Sequence, residues 1–223
     1  MPDPAELPRP LAVAFDCDGL LLNTEDVFEL AGTEMMAKRG HRFDAGVRGV
    51  MIGKRADEAF AALVDHLGLP ETIAELRAEA SELFTKHLEG RLALMLGVRE
   101  LVEACEAAGL PRAVCTSSGG EYLRDMLTRF DLRDRFDVLL AAEDVTRGKP
   151  DPEIYETAAA RLGVPISRLL VLEDSGTGCA AGVAAGALTV AVPNRHTADM
   201  NFAGAALVAD GLTDPRVLGL VGG

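Results

Sequence analysis

Basic residues are in short supply in this chain: 22 lysines and arginines stand against 35 aspartates and glutamates, a net charge of −13 at pH 7. A nucleic-acid partner needs a basic face to neutralise its phosphates, so that class of partner is excluded. The same deficit makes any anionic ligand unwelcome on average. Local positive groups must then attract it, and Lys149, Arg147 and a bound metal are the candidates. Long apolar runs are missing too. None reaches the roughly 18 residues that cross a bilayer, so no membrane association is expected. Met1–Pro10 lacks both a basic start and an apolar centre, so no signal peptide is expected and the chain reads as cytoplasmic. Cysteines number four, at 17, 105, 115 and 179, and no two form a CxxC pair. They read as small buried side chains in a reducing compartment. Nothing repeats, and no stretch is low in complexity.

What is present is an alternation of strands and helices. Apolar runs near 11–16, 112–116, 137–141, 169–173 and 188–192 read as buried strands, separated by helical stretches. This is the α/β pattern of a doubly wound parallel sheet. The segment from about 22 to 92 breaks the pattern by being helical throughout. Val27, Leu30, Ala31 and Met35 make one stripe; Ala56, Ala59, Phe60, Leu63, Val64 and Leu67 a second; Ile73, Leu76, Ala80, Leu83, Phe84 and His87 a third. Three amphipathic helices, broken at Gly40 and at Gly68-Leu69-Pro70, read as a small bundle. We therefore expect residues 11–21 and 93–223 to form the α/β core and residues 22–92 a helical cap over the carboxyl end of the sheet. A purely structural appendage is the alternative. Packing between subunits is unreadable from the Ala-rich helices; a monomer or a small homo-oligomer is expected.

The first strand runs into Asp16-Cys17-Asp18-Gly19. Strand side chains alternate, so Asp16 and Asp18 project to one side. Two carboxylates crowded at a strand end repel, unless a cation or a proton lies between them. Later strands end in polar residues as well: Thr116-Ser117-Ser118, then Glu173-Asp174-Ser175, with Arg147-Gly148-Lys149-Pro150-Asp151 between. Ligands of open parallel sheets bind at the carboxyl ends of strands, where these groups would converge. Phosphoryl transfer on a divalent cation is the chemistry they suggest. Two competing motifs fail. Gly176-Thr177-Gly178-Cys179-Ala180-Ala181 fits a dinucleotide fingerprint, but Glu173 and Asp174 stand where a pyrophosphate would sit. Gly148-Lys149 is no P-loop, because Pro150 replaces the Ser/Thr and the upstream glycine is missing.

In this order, DCDG, TSS, GKPD and EDS resemble the motifs of the haloacid dehalogenase superfamily of phosphohydrolases. The closer resemblance is to the capped branch that includes sugar-phosphate phosphatases and β-phosphoglucomutase, over about residues 11–193. It implies a Rossmann-like core with an inserted helical cap. It implies that Asp16 is the nucleophile, forming an aspartyl-phosphate, and that Asp18 is the general acid and base. Thr116, the Ser117 backbone N–H and Lys149 would hold the phosphate. Mg2+ would be held by Asp16, the backbone carbonyl of Asp18, and Asp174, with Glu173 ligating directly or through water. Lys149 would be set at a rigid helix start by Asp151 and Pro152. Substrate choice would lie with cap-side residues such as Asn23, Glu25, Phe28, Met51, Lys54 and Arg55.

The chain departs from its relatives in places. Leu20 stands where many carry Thr, and Phe28 where β-phosphoglucomutase uses a cap histidine. Ile52 and Ala56 fall near that enzyme's cap lysine and arginine. The expected function is therefore Mg-dependent hydrolysis of a small phosphorylated metabolite, preferably a sugar phosphate. Its rivals are a phosphosugar mutase and a non-catalytic module that binds a metal or anion.

Overall fold

The computed structural model describes residues 7–52 and 54–222; residues 1–6, whose sequence bore on the leader, lie outside that range with Gly53 and Gly223. Six strands form one sheet: β1 (Ala12–Phe15), β2 (Arg112–Cys115), β3 (Val138–Leu140), β4 (Leu169–Glu173), β5 (Leu188–Ala191) and β6 (Leu207–Val208). All pair in parallel, in the order β3-β2-β1-β4-β5-β6. The strand order reverses beside β1, which places a crevice at its carboxyl end. The doubly wound α/β reading is thus found. β6 was not anticipated, because two residues carry no periodicity. Leu11, read as part of the first buried run, lies just outside β1 and is exposed.

The two faces of the sheet differ in side-chain size. Val13 and Phe15 face one core; Ala12, Ala14 and Ala113 face the other. Small residues let helices approach closely. On that face α7 (Glu153–Leu162) packs through Tyr155, Ala158 and Ala159, and α8 (Gly176–Ala185) brings Gly182 against Thr189, where a Cβ would meet Oγ1 at 2.6 Å. Remaining helices beside the sheet are α5 (Val98–Ala107), α6 (Gly120–Thr128) and α9 (Pro215–Val221).

Between β1 and β2 come α1 (Thr24–Ala37), α2 (Ala45–Gly49), α3 (Ala56–Leu67) and α4 (Ile73–Leu88), with α4 packed against both α1 and α3. Sequence periodicity predicts three helices here; the short α2 is a fourth, started by Asp44, whose carboxylate accepts from the N–H groups of Gly46 and Val47. A Thr72–Glu75 capping box starts α4, and left-handed Gly68 ends α3. On α1 three residues of the expected stripe, Val27, Ala31 and Met35, are buried. Leu30 is exposed, while Gly32 and Met36 are buried. Gly32 provides a socket for Phe43, whose ring would meet a Cβ there at 2.6 Å, and this sets the face that turns inward. Ala56, expected on the α3 stripe, is exposed at the helix start.

Candidate active site

Register brings the polar strand ends together. Phe15 of β1 is abreast of Val114 on β2 and Leu172 on β4, so the following residues, Asp16, Cys115 and Glu173, share one level. Lys149, from the loop before α7, enters this level and is buried. Its ammonium donates to Asp16 Oδ1 at 2.6 Å, Glu173 Oε1 at 2.6 Å and the Cys115 carbonyl at 2.9 Å. Burial alone would lower the lysine pKa, but the two carboxylates outweigh it and lift it well above the ordinary range. Glu173 is pinned on both oxygens: Tyr155 also donates to Oε1 at 2.8 Å, and Ser175 donates to Oε2 through its N–H and hydroxyl. The α8 start is built around it. Ser175 caps the helix by accepting from the Gly178 N–H, and a Cβ on Gly178 would collide with the Glu173 carboxylate. The second glycine of the dinucleotide-like run, Gly178, therefore makes room for a side chain, not for a pyrophosphate. Asp151 accepts from the Glu153 N–H, so the lysine does precede a capped helix, one residue later than expected.

Asp18 is a hub of hydroxyls. Oδ1 accepts from Thr24 at 2.9 Å and Tyr122 at 2.7 Å; Oδ2 accepts from Ser118 at 2.8 Å and Thr116 at 3.1 Å. Thr116 Oγ1 in turn accepts from the Ser118 N–H. Ser117 lies between these two on the loop after β2. Gly19 makes the turn out of the motif with φ +86°, and a Cβ there would collide with Asp174.

The carboxylates of Asp16, Glu173 and Asp174 each offer an oxygen within 4.8 Å of the others, the spacing of a cation site. Lys149 takes Asp16 Oδ1, and Asn194 takes Asp174 Oδ2 at 2.8 Å while also donating to the Gly19 carbonyl. These bonds leave one oxygen each on Asp16 and Asp174. Burial raises both groups well above the usual carboxylate range: Lys149 opposes it at Asp16, and Asp16 and Glu173 reinforce it at Asp174. Crowded oxygens with one ammonium among them suit a hard divalent cation such as Mg2+.

The cap-side residues are less uniform. Asn23 is spent on bonds to the Arg91 carbonyl and the Ala93 N–H, and Lys54 donates to the Val50 carbonyl of its own turn. Arg55 reaches from the start of α3 to the carbonyls of Ala142, Val145 and Thr146, on the loop that leads to Lys149. Met51 is half-buried against the main core. Phe28 stacks on Phe84 with ring centroids 4.5 Å apart.

Glu25 lines a cavity of about 390 Å³ with Gly19, Asn194 and His196, and burial, aided by Asp18 and Asp26, pushes its carboxyl up to about 7. An acid with a raised folded pKa favours the folded state less as pH climbs from 4.5 to that value. Glu25→Gln removes this cost. Without added metal, its melting temperature relative to the unaltered protein is expected to rise by about 3 °C or more between pH 5 and pH 8. A difference that stays flat across those scans refutes the assignment.

Thr24, Ser118, Tyr122, Tyr155 and Asn194 are site residues that sequence reasoning did not single out. Ser118 alone had a signal, lying inside the TSS run. The cysteines are all free and buried, with burial pushing Cys105 and Cys115 up to about 12.

Comparison with known proteins agrees with this geometry. Residues 13–192 match the family described as haloacid dehalogenase-like hydrolase. Validoxylamine A 7'-phosphate phosphatase of Streptomyces hygroscopicus subsp. limoneus is 32% identical over 204 residues, 91% of this chain and 94% of that protein. Hexitol phosphatase B of Escherichia coli K12 is 34% identical over 82% of this chain and 83% of its own length. The crystal structure of CbbY from Rhodobacter sphaeroides in complex with phosphate superposes with a TM-score of 0.80 at 30% identity, covering 91% of this chain and 95% of that one. With its motifs converging at the end of β1 and relatives that are named phosphatases, the chain belongs to the haloacid dehalogenase-like hydrolase family and is a phosphoric monoester hydrolase.

Proposed function

We propose that this chain hydrolyses a small phosphorylated sugar or polyol through an aspartyl-phosphate on Asp16, with a divalent cation, Mg2+, at the carboxylate cluster. The observation that carries the reading is the buried set of Asp16, Lys149, Glu173 and Asp174 with Asp18 beside it. Asp16 supplies the attacking oxygen, and Lys149 turns the carboxylate while balancing the charge of the phosphoryl group. Thr116 and the Ser117 N–H cradle a phosphoryl oxygen. Asp18 gives a proton to the leaving oxygen, then takes one from the water that opens the acyl-phosphate. Asp16, the Asp18 carbonyl and Asp174 would hold the cation, with Glu173 behind them as the anchor of Lys149. When bound, the cation neutralises the approaching dianion and fixes its orientation.

Substrate class rests on the relatives, two of which are named as a hexitol phosphatase and a validoxylamine A 7'-phosphate phosphatase. Mutase chemistry is disfavoured by Phe28, a side chain with no proton to carry, packed on Phe84. Among the described residues no helix is long and apolar enough to cross a membrane, and buried free cysteines suit a reducing, cytoplasmic setting.

The test is phosphate release from a panel of hexitol, pentitol and hexose phosphates. Release with Mg2+, abolished by EDTA and restored by excess Mg2+, is expected. Isomerised sugar phosphate without free phosphate would make the mutase the better reading, and release unaffected by EDTA would remove the cation.

A further inference from the structure

We propose that Tyr122 is a positioning residue that pins Asp18 Oδ1, so that Oδ2 is the oxygen that delivers the proton to the leaving group. The inference rests on the phosphatase reading and goes beyond it, since neither the motifs nor the comparisons assign Tyr122.

The donors around Asp18 divide into two pairs. Thr116 and Ser118, on Oδ2, belong to the loop that would cradle phosphate. An arriving phosphoryl group competes for their hydroxyls. Thr24 and Tyr122, on Oδ1, come from outside that loop. Thr24 is fully buried at the start of α1. Tyr122 sits on α6 with its ring against Phe84 at 5.9 Å, and Phe84 is stacked in turn on Phe28. An aromatic row thus fixes the tyrosine, and its 2.7 Å bond fixes one carboxylate oxygen. When substrate draws the Thr116 and Ser118 hydroxyls away, Oδ1 stays held and Oδ2, relieved of both donors, takes up a proton from solvent. As the Asp16 oxygen bonds to phosphorus, the P–O bond to the leaving group breaks with its electron pair, that oxygen takes the Oδ2 proton, and Asp18 is left as carboxylate.

A leaving-group comparison tests this. An alkyl phosphate such as glycerol phosphate expels an alkoxide that needs the proton; p-nitrophenyl phosphate expels a stable phenolate that does not. Tyr122→Phe keeps the ring and removes the hydroxyl. It is expected to lower kcat/KM for the alkyl ester about tenfold, within the range of general-acid effects, and to leave the p-nitrophenyl ester within about twofold. Thr24→Val, which removes the other Oδ1 donor with little change of shape, is expected to show the same ester dependence. Equal losses on both esters, or none on either, overturn the proposal. No Asp16-dependent turnover of either ester by the unaltered enzyme overturns the phosphatase reading, and this inference with it.

Discussion

Asp16→Asn is expected to lower phosphate release by about 10^4-fold or more, because an amide oxygen does not form the covalent intermediate. The fold should survive. The amide oxygen still accepts from Lys149, and the substitution removes a charge that its surroundings resist: burial raises Asp16 well above its usual range despite Lys149. A carboxyl whose folded pKa exceeds its unfolded value binds protons more readily when folded, so at neutral pH its ionisation costs stability. Without metal at pH 8, the variant should therefore melt at or above the temperature of the unaltered protein. Added Mg2+ should raise the melting temperature of the unaltered protein more than that of the variant, since a ligand that binds only the native state stabilises it by mass action. Turnover within tenfold of the unaltered enzyme would remove Asp16 as nucleophile.

Lys149→Met should damage both stability and activity. Methionine matches the lysine stem in length but leaves Asp16 and Glu173 facing each other without the ammonium that each touches at 2.6 Å. Removing one partner from a buried ion pair costs about 3–5 kcal/mol, a fall of roughly 10 °C in a chain of this size. The loss of a positive group at the phosphoryl site should cost at least about 10^2-fold in kcat. Adding Asp16→Asn to this variant should recover part of the melting temperature and none of the activity. If the double variant recovers no more than Asp16→Asn gains in the unaltered background, so that the two effects simply add, carboxylate repulsion is not the source of the loss.

Much of this arrangement could be read in the chain before folding, for a local reason. Asp16, Thr116 and Glu173 each close an apolar run, so period and composition announce them together. Lys149 was legible from the Pro and Asp that follow it. The bonds around Asp18 were not. Thr24 and Tyr122 sit on helices at ordinary spacing, and only the docking of α1 and α6 brings their hydroxyls to one carboxylate. Glu173 shows the same limit: its sequence position left direct and water-mediated ligation open, and nothing there announced the three neighbouring side chains and the backbone N–H that bond its oxygens. Among the elements, the long stripes on α3 and α4 were readable. The two-residue β6 and the Phe43 socket beside Leu30 depend on how neighbouring segments pack, which periodicity within one element does not show.

The order of the strands has a consequence for biosynthesis. β1, which leads directly into Asp16, is made early, yet its neighbour β4 and the Lys149 loop are made more than a hundred residues later. A ribosome-bound chain that has not yet released residues 149–174 holds Asp16 with neither the Lys149 ammonium nor the Glu173 and Asp174 carboxylates beside it. Products stalled or clipped before Lys149 therefore lack every one of those partners, and the carboxylate cluster is completed only when Asp174, the last of them, is made.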